Sequence, residues 1–319
     1  MKESPKLSLI FPVYNEAESL PHLFERLYGV IKENNYDYEI IAVNDGSRDD
    51  SFEVLKKFAK KDHKVKIVNF RVNAGQTAAI RAGIDHSIGD IIVALDSDLE
   101  NDPRDLPLLL AELDKGYDVV SGWRQNRWQG QYLSRQLPSK IANALISKIT
   151  GVTLNDYGCT FKVYRREVIQ GVPLYGEMHR FIPAYASWRG AKVTEVPVRH
   201  EPRRFGKTNY GISRTFRVLL DLLLIKFFDK YKDRPMHFFG GFGFLSLLLG
   251  FVSAGAAIIL RLFFDLHFVQ TPLPVLTALF LITGVNLILM GIIAEMLMRT
   301  YYESRGEKPY LIKDKINIK

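Results

Sequence analysis

Asp96, Asp98 and Glu100 stand at alternate positions in the run Asp96-Ser97-Asp98-Leu99-Glu100, so three carboxylates follow one another with a single residue between neighbours. Oxygen donors of this kind suit a hard divalent cation, Mg2+ or Mn2+, which takes few protein ligands and fills its remaining positions with water and phosphate. All three acids are therefore expected to ligate such an ion, a solvated acidic turn being the competing account. Three further polar clusters punctuate the chain: Pro12-Val13-Tyr14-Asn15-Glu16, Asn44-Asp45-Gly46-Ser47 and Asn73-Ala74-Gly75. Glu16, Asp45 and Asn73 have the donors and acceptors to meet a uracil edge and ribose hydroxyls. Asn44 to Ser47 alone is a common turn; its weight comes from standing in series with the triple acid.

Each cluster follows an apolar run. Leu7–Val13, Tyr38–Val43, Val65–Phe70, Ile91–Leu95 and Asp118–Ser121 read as strands, and segments 17–34, 51–61, 75–87 and 103–114 as the helices between them. In the first helix Leu20, Leu23, Phe24, Leu27, Val30 and Ile31 recur at helical spacing. Strand and helix in alternation imply right-handed crossovers and a parallel sheet, whose ligands lie beyond the carboxyl ends of the strands. A helix over 139–150 and strands over 160–164 and 192–198 would complete a mixed sheet. The expected fold class is α/β, a doubly wound, Rossmann-like mixed sheet. No Gly-x-Gly-x-x-Gly follows the first strand and no Walker lysine loop occurs, which removes the main support for dinucleotide oxidoreductases and P-loop enzymes.

Beyond Pro235 the composition changes. No residue from Phe238 to Leu260 is charged, and Leu273 to Met298 is interrupted only by Asn286 and Glu295 among strongly polar residues; each run exceeds the ~20 residues that cross a bilayer as a helix. Lys226, Lys230, Lys232 and Arg234 precede the first run, and Arg299, Arg305, Lys308, Lys313, Lys315 and Lys319 follow the second, whereas the connection 261–272 holds one Arg. The positive-inside rule then puts both termini in the cytoplasm, with the chain integral to the cytoplasmic (inner) membrane. The net charge of +8 gathers beside these runs, so anionic lipid and a phosphorylated substrate explain it better than nucleic acid, for which no binding module is present. The single cysteine, Cys159, excludes an intrachain disulfide. Four regions are expected: a cytosolic catalytic domain over 1–210, an amphipathic juxtamembrane helix over 211–235 with Ile212, Phe216, Leu219, Leu220, Leu223 and Phe227 on one face, a two-helix hairpin over 236–300, and a basic tail over 301–319.

The polar clusters, in this order and spacing, resemble the nucleotide-site motifs of the inverting GT-A glycosyltransferases of family 2. Within that family the chain is most similar to the branch of dolichyl-phosphate mannose synthases and bacterial polyprenyl-phosphate glucosyltransferases. The resemblance covers about residues 5–210, and the paired apolar runs match the bacterial arrangement. It implies that Pro12, Tyr14, Glu16, Asp45, Asn73, Asp96 and Ser97 bind the nucleotide, that Asp98 coordinates the metal directly, and that Glu100 stands where many relatives have Gln. Arg124, Arg135 and Ser139 resemble positions holding an acceptor lipid phosphate. Arg203-Arg204-Phe205-Gly206-Lys207-Thr208 resembles a basic loop that closes on donor phosphates, with Arg204 and Lys207 assisting departure of the diphosphate. Asp156 matches an acidic position near the reacting centre, with sugar orientation or a base-like role.

The implied reaction moves glucose from UDP-glucose to undecaprenyl phosphate with inversion, with Mg2+ or Mn2+ as cofactor. GDP-mannose or another UDP-sugar would fit the same frame. Glu177, His179 and Arg180 are expected to line the sugar pocket or a lid. Glycines in the first apolar run, Gly240, Gly241, Gly243, Gly250 and Gly255, permit close helix packing and raise the expectation of a homo-oligomer, a tetramer among the choices. A processive polysaccharide synthase would carry Gln-x-x-Arg-Trp late in the catalytic domain, whereas Gln125-Asn126-Arg127-Trp128 is one residue short and early. A catalytically silent membrane scaffold that binds a sugar nucleotide is the rival of another class.

Overall fold

The computed structural model describes residues 6–125, 127, 136–170, 172, 174, 178–202, 235–303 and 310–318. Arg135, Glu177, Arg203, Arg204, Lys207 and the expected amphipathic helix over 211–235 (but for Pro235) lie outside them. The chain divides into two compact units, Met1–Leu222 with Lys308–Lys319, and Leu223–Glu307.

The first unit is built from β1 (Leu7–Val13), α1 (Leu20–Asn34), β2 (Tyr38–Asn44), α2 (Ser51–Lys61), β3 (Val65–Phe70), α3 (Gln76–Asp85), β4 (Ile91–Ala94), α4 (Leu106–Asp114), β5 (Val119–Trp123), α5 (Leu137–Thr150), β6 (Lys162–Arg165), α6 (Arg166–Ile169), α7 (Ile182–Trp188) and β7 (Val193–Pro197). Pro21 sits in the first turn of α1, where its missing N–H costs nothing and its fixed φ suits a helix start. Glu16 to Ser19 consequently form a turn, and α1 begins later than the apolar pattern alone indicated. All six apolar positions of α1 are buried. Phe24 stacks on Phe58 of α2 at 3.9 Å between centroids and meets Phe11 of β1 edge-on at 5.7 Å, which fixes both helices against one face of the sheet.

The sheet runs β7-β5-β6-β4-β1-β2-β3-β8, where β8 is Ile312–Ile316 near the end of the chain. β1 pairs in parallel with β2 and β4, β2 with β3, and β5 with β7, whereas β6 lies antiparallel between β4 and β5. The mixed, doubly wound α/β architecture expected from the sequence is present.

The stretch expected as a basic tail is corrected at its end. β8 (Ile312–Ile316) adds antiparallel to β3 as the outermost strand. Tyr310 stacks on Phe70 at 5.0 Å and donates to Asp85 at 2.8 Å, and Asn317 donates to the carbonyls of Ala59 and Val65. A one-sided edge strand needs only alternate apolar residues, so its lysines hid it.

The second unit is a pair of helices, α8 (Pro235–Phe264) and α9 (Leu273–Glu303). Within them Phe239–Phe264 and Leu273–Ala294 are long and apolar enough to cross a membrane. Their outer faces are apolar, with Phe244, Phe251, Val275 and Ile282 more than half exposed. A Cβ on Gly243 would lie 2.9 Å from the Gly284 carbonyl, and one on Gly250 2.9 Å from Leu281. Gly243 and Gly250 therefore serve the approach of α8 to α9 within one chain, whereas a Cβ on Gly241 or Gly255 would meet nothing within 4 Å.

Candidate active site

Four strand ends converge on one edge of the sheet. At the end of β2, Asp45 is buried and accepts from the Ala74 amide at 2.6 Å, the Gly75 amide at 3.0 Å and the Asn73 side chain at 3.0 Å. Burial raises its pKa, and the two amides partly offset that. Gly46 follows at φ +65°, and a Cβ there would meet the Asn73 nitrogen at 2.6 Å, so only glycine lets the two loops touch. At the end of β1, Asn15 adopts a left-handed φ of 57°. Its amide donates to Ser47 Oγ at 3.0 Å, and its side chain accepts from the Arg48 amide at 2.8 Å. The first two polar clusters are thus stitched together. Glu16 is buried and accepts from Ser19 Oγ at 2.9 Å, and Tyr14 is exposed.

β4 delivers the acids. Ser97 donates to the Pro12 carbonyl at 2.8 Å, binding the ends of β4 and β1. Leu99 is buried yet held at φ 64°, a conformation uncommon for a branched apolar residue and found where surrounding structure enforces it. Asp96 accepts from Gln76 Nε2 at 2.7 Å. Burial and then the charge of Asp98 push its pKa up to about 6, against the opposing pull of Thr160 and Arg124. Glu100 faces two guanidiniums instead, at 3.8 Å from Arg124 and 3.6 Å from Arg127.

Among the described residues no group of three Asp, Glu, His or Cys side chains stands close enough to hold a metal. Asp96 feels the charge of Asp98 and, more weakly, that of Glu100, and Glu100 also stands beside the two arginines. Two mutually repelling carboxylates on one loop fit a divalent cation that keeps water and phosphate in its other positions.

Beside them lies an ion pair. Arg124, at the end of β5, grips Asp156 with Nε to Oδ2 at 2.7 Å and Nη2 to Oδ1 at 3.0 Å. The Arg124 side chain is 2% exposed, which rules out a loosely solvated arginine. Burial alone would raise Asp156, but Arg124, with Arg127 and Lys162 beyond it, holds it at about 2. Lys162 of β6 is buried and donates to the carbonyls of Tyr157 and Cys159, pinning the turn that carries Asp156. Ser139 lies partly buried in the first turn of α5. His179 is buried and shares a 2.7 Å hydrogen bond with Thr77, and Arg180 lies within electrostatic reach of Lys162. Cys159 is a free, buried small side chain.

Sequence reasoning missed Gln76, Thr160, Arg127 and Lys162. Only Gln76 carried a signal, since it directly follows Asn73-Ala74-Gly75. Glu201 returns to the site through its amide on the Glu100 carbonyl at 3.0 Å.

Residues 8–172 match the family described as glycosyl transferase family 2. The chain belongs to glycosyl transferase family 2. It is 41% identical over 98% of its length to the dodecaprenyl-phosphate galacturonate synthase of Rhizobium johnstonii, 93% of which is covered. It is 37% identical over 96% of its length to an undecaprenyl-phosphate 4-deoxy-4-formamido-L-arabinose transferase of Pseudomonas savastanoi, 90% covered. The family membership expected from the motifs therefore holds, and within the family the chain groups with polyprenyl-phosphate glycosyltransferases. Among solved structures it is similar to glucosyl-3-phosphoglycerate synthase from Mycobacterium tuberculosis in complex with Mn2+ and UDP-glucose, with TM-score 0.56 and 16% identity over 70% of this chain and 80% of that one. Mannosyl-3-phosphoglycerate synthase from Rubrobacter xylanophilus gives TM-score 0.54 at 12% identity, covering 70% of this chain and 74% of that one. At such identities the likeness establishes the family 2 fold, GT-A.

Proposed function

We propose that this glycosyltransferase moves an acidic sugar, galacturonate or a close relative, from a uridine diphosphate donor to undecaprenyl or another polyprenyl phosphate, with inversion, at the cytoplasmic face of a membrane. The observation that carries the acceptor is the state of Asp156. A hydroxyl acceptor needs a general base of pKa near the working pH, and a carboxylate held at about 2 in a two-pronged pair with Arg124 is a weak one. A phosphate monoester, with a second pKa of ~6, arrives already ionised and needs none. Asp156 is then an orienting group, and the base-like role gives way.

The Asp45 cradle with Asn73, flanked by Pro12, Tyr14 and Glu16, takes the base and ribose. Asp96 and Asp98 would hold Mg2+ or Mn2+, which when bound supplies Lewis-acid stabilisation of the diphosphate. Arg204 and Lys207 add positive charge at the donor phosphates. Because Arg124 is enclosed with Asp156, Arg135 and Ser139 are left to meet the acceptor phosphate. Arg127, partly exposed beside Glu100, is the guanidinium that a sugar carboxylate would pair with, the geometry arginine favours. This reading and the names of relatives matching nearly the whole chain move UDP-glucose behind UDP-galacturonate.

The test is nucleoside diphosphate release by the detergent-solubilised protein with labelled undecaprenyl phosphate, over UDP-galacturonate, UDP-formamido-arabinose, UDP-glucose and GDP-mannose. Release with UDP-galacturonate that depends on acceptor and on Mg2+ or Mn2+ is expected, and Asp98→Ala should abolish it while the protein stays folded. Release without acceptor, or full turnover by Asp98→Ala, would overturn the reading; release with UDP-glucose alone would overturn the sugar.

A further inference from the structure

Asp96, Gln76 and Thr160, drawn from three separate segments, are joined through the Gln76 amide. Gln76 Nε2 donates one hydrogen to Asp96 Oδ1 at 2.7 Å and lies 3.3 Å from Thr160 Oγ1. Thr160, from the segment before β6, accepts from the second hydrogen of the same amide and also pulls the pKa of Asp96 down.

Gln76 is the first residue of α3 and directly follows Ala74 and Gly75, whose amides are bound by Asp45. Gly75 turns the chain at φ +93° between these two engagements. Further along, α3 packs closely on β1, where a Cβ on Gly83 would lie 2.2 Å from Ile10, so the freedom to shift is left to its first turn. Thr77, the next residue, is fixed by buried His179. A displacement of the Asp45 loop therefore reaches Asp96 through one covalently continuous turn.

We infer that Gln76, with Thr160, is a positioning residue that orients Asp96 and couples occupancy of the nucleotide cradle at Asp45 to divalent-cation affinity at Asp96 and Asp98. This rests on the metal assignment above and goes beyond it. A carboxylate free to rotate must be ordered at the moment of binding, whereas one held by an amide that is itself fixed is ordered beforehand. Groups that hold a metal ligand in this way commonly change affinity by about tenfold to a hundredfold when removed. Coupling between the two ligands must also be reciprocal.

The experiment measures Mn2+ binding to the full-length protein by the electron paramagnetic resonance of free Mn2+, with and without saturating UDP, and UDP binding with and without Mn2+. The wild type should bind Mn2+ more tightly with UDP present, and UDP more tightly with Mn2+ by the same factor. Gln76→Ala should weaken Mn2+ binding about tenfold or more and lower the coupling factor below that of wild type, the part carried by direct contact of the diphosphate with the ion remaining, and leave metal-free UDP affinity within about twofold of wild type. Thr160→Val should reproduce the loss, and Thr160→Ser, which keeps the hydroxyl, should restore it. Wild-type coupling retained in Gln76→Ala, or UDP affinity lost equally with and without metal, would overturn this inference and leave the metal assignment standing. A wild type that binds UDP without any response to Mn2+ would remove both.

Discussion

Two buried charges beside the site carry opposite stability consequences. Asp156 is held at about 2, below its ordinary 3.8, so its pairing with Arg124 stabilises the fold above pH ~4 and is lost as pH falls through ~2. Removing one partner of an enclosed pair leaves the other uncompensated, at about 3–5 kcal/mol. Asp156→Asn keeps the shape but weakens the pairing, and should lower both the thermal midpoint and turnover, the latter by about a hundredfold, as expected for a misplaced orienting group. Lys162 runs the other way: burial lowers it from 10.5 to about 8. Below pH 8 both states carry the proton and the folded one bears the cost of enclosing it. Between 8 and 10.5 only the unfolded state stays charged, so stability rises with pH across that window, by on the order of 3 kcal/mol. Lys162→Met should therefore flatten the thermal midpoint between pH 8 and 10.5; a wild-type midpoint already flat there would refute the assignment. Asp45, Asp96 and Asp98 were legible because carboxylates after apolar strands are conspicuous, whereas Asp156 was reached only through the family resemblance. Lys162 and Thr160 were not legible, since a lysine or threonine inside a strand pattern has the same appearance whether it faces solvent or pins a turn.

Elements were legible where one face is apolar along the whole length, as in α1 and β1 to β4, and less so where direction or pairing matters. An apolar run does not encode its polarity, so the antiparallel insertion of β6 between β4 and β5 had no signature beyond the general expectation of a mixed sheet. Loops behave differently, because their conformation depends on single residues. Gly46 carries the contact between the loops after β2 and β3, at φ +65° with the Asn73 nitrogen where a Cβ would go. Gly46→Ala should push the Asn73 loop off Asp45. The expected outcome is a loss of about 1–3 kcal/mol of stability for the strained, overpacked turn, with UDP affinity reduced at least tenfold by isothermal titration. A variant that binds UDP as wild type does would show that the Asp45 cradle is not the nucleotide site.

At the scale of the whole molecule the chain passes through the α8–α9 pair and then returns to its own sheet. β8 covers β3, which would otherwise present unpaired backbone groups at a sheet edge, a template for association. Its reach extends inward. Asp314 accepts from Asn69 at 3.0 Å, and Asn69 accepts from Asn44 at 2.8 Å, next to Asp45. Composition concealed this, because lysines beside a membrane run point to lipid as readily as to an edge strand. Deleting residues 310–319 removes Tyr310 from Phe70 and Asp85, Asn317 from two carbonyls, and the β3–β8 pairing. Burying one aromatic of this size is worth about 1.5–3 kcal/mol, and at about 2–4 °C per kcal/mol for a domain of this length the thermal midpoint should fall by about 5–10 °C. The α8–α9 pair contains none of these contacts, so membrane extraction should be unchanged while UDP affinity falls and the truncated protein aggregates through its exposed edge. Restoring Tyr310 alone should recover only part of the midpoint, because the ladder to β3 would still be missing. A truncated chain with wild-type midpoint and UDP affinity would mean that β8 is an ornament on the sheet rather than its closing strand.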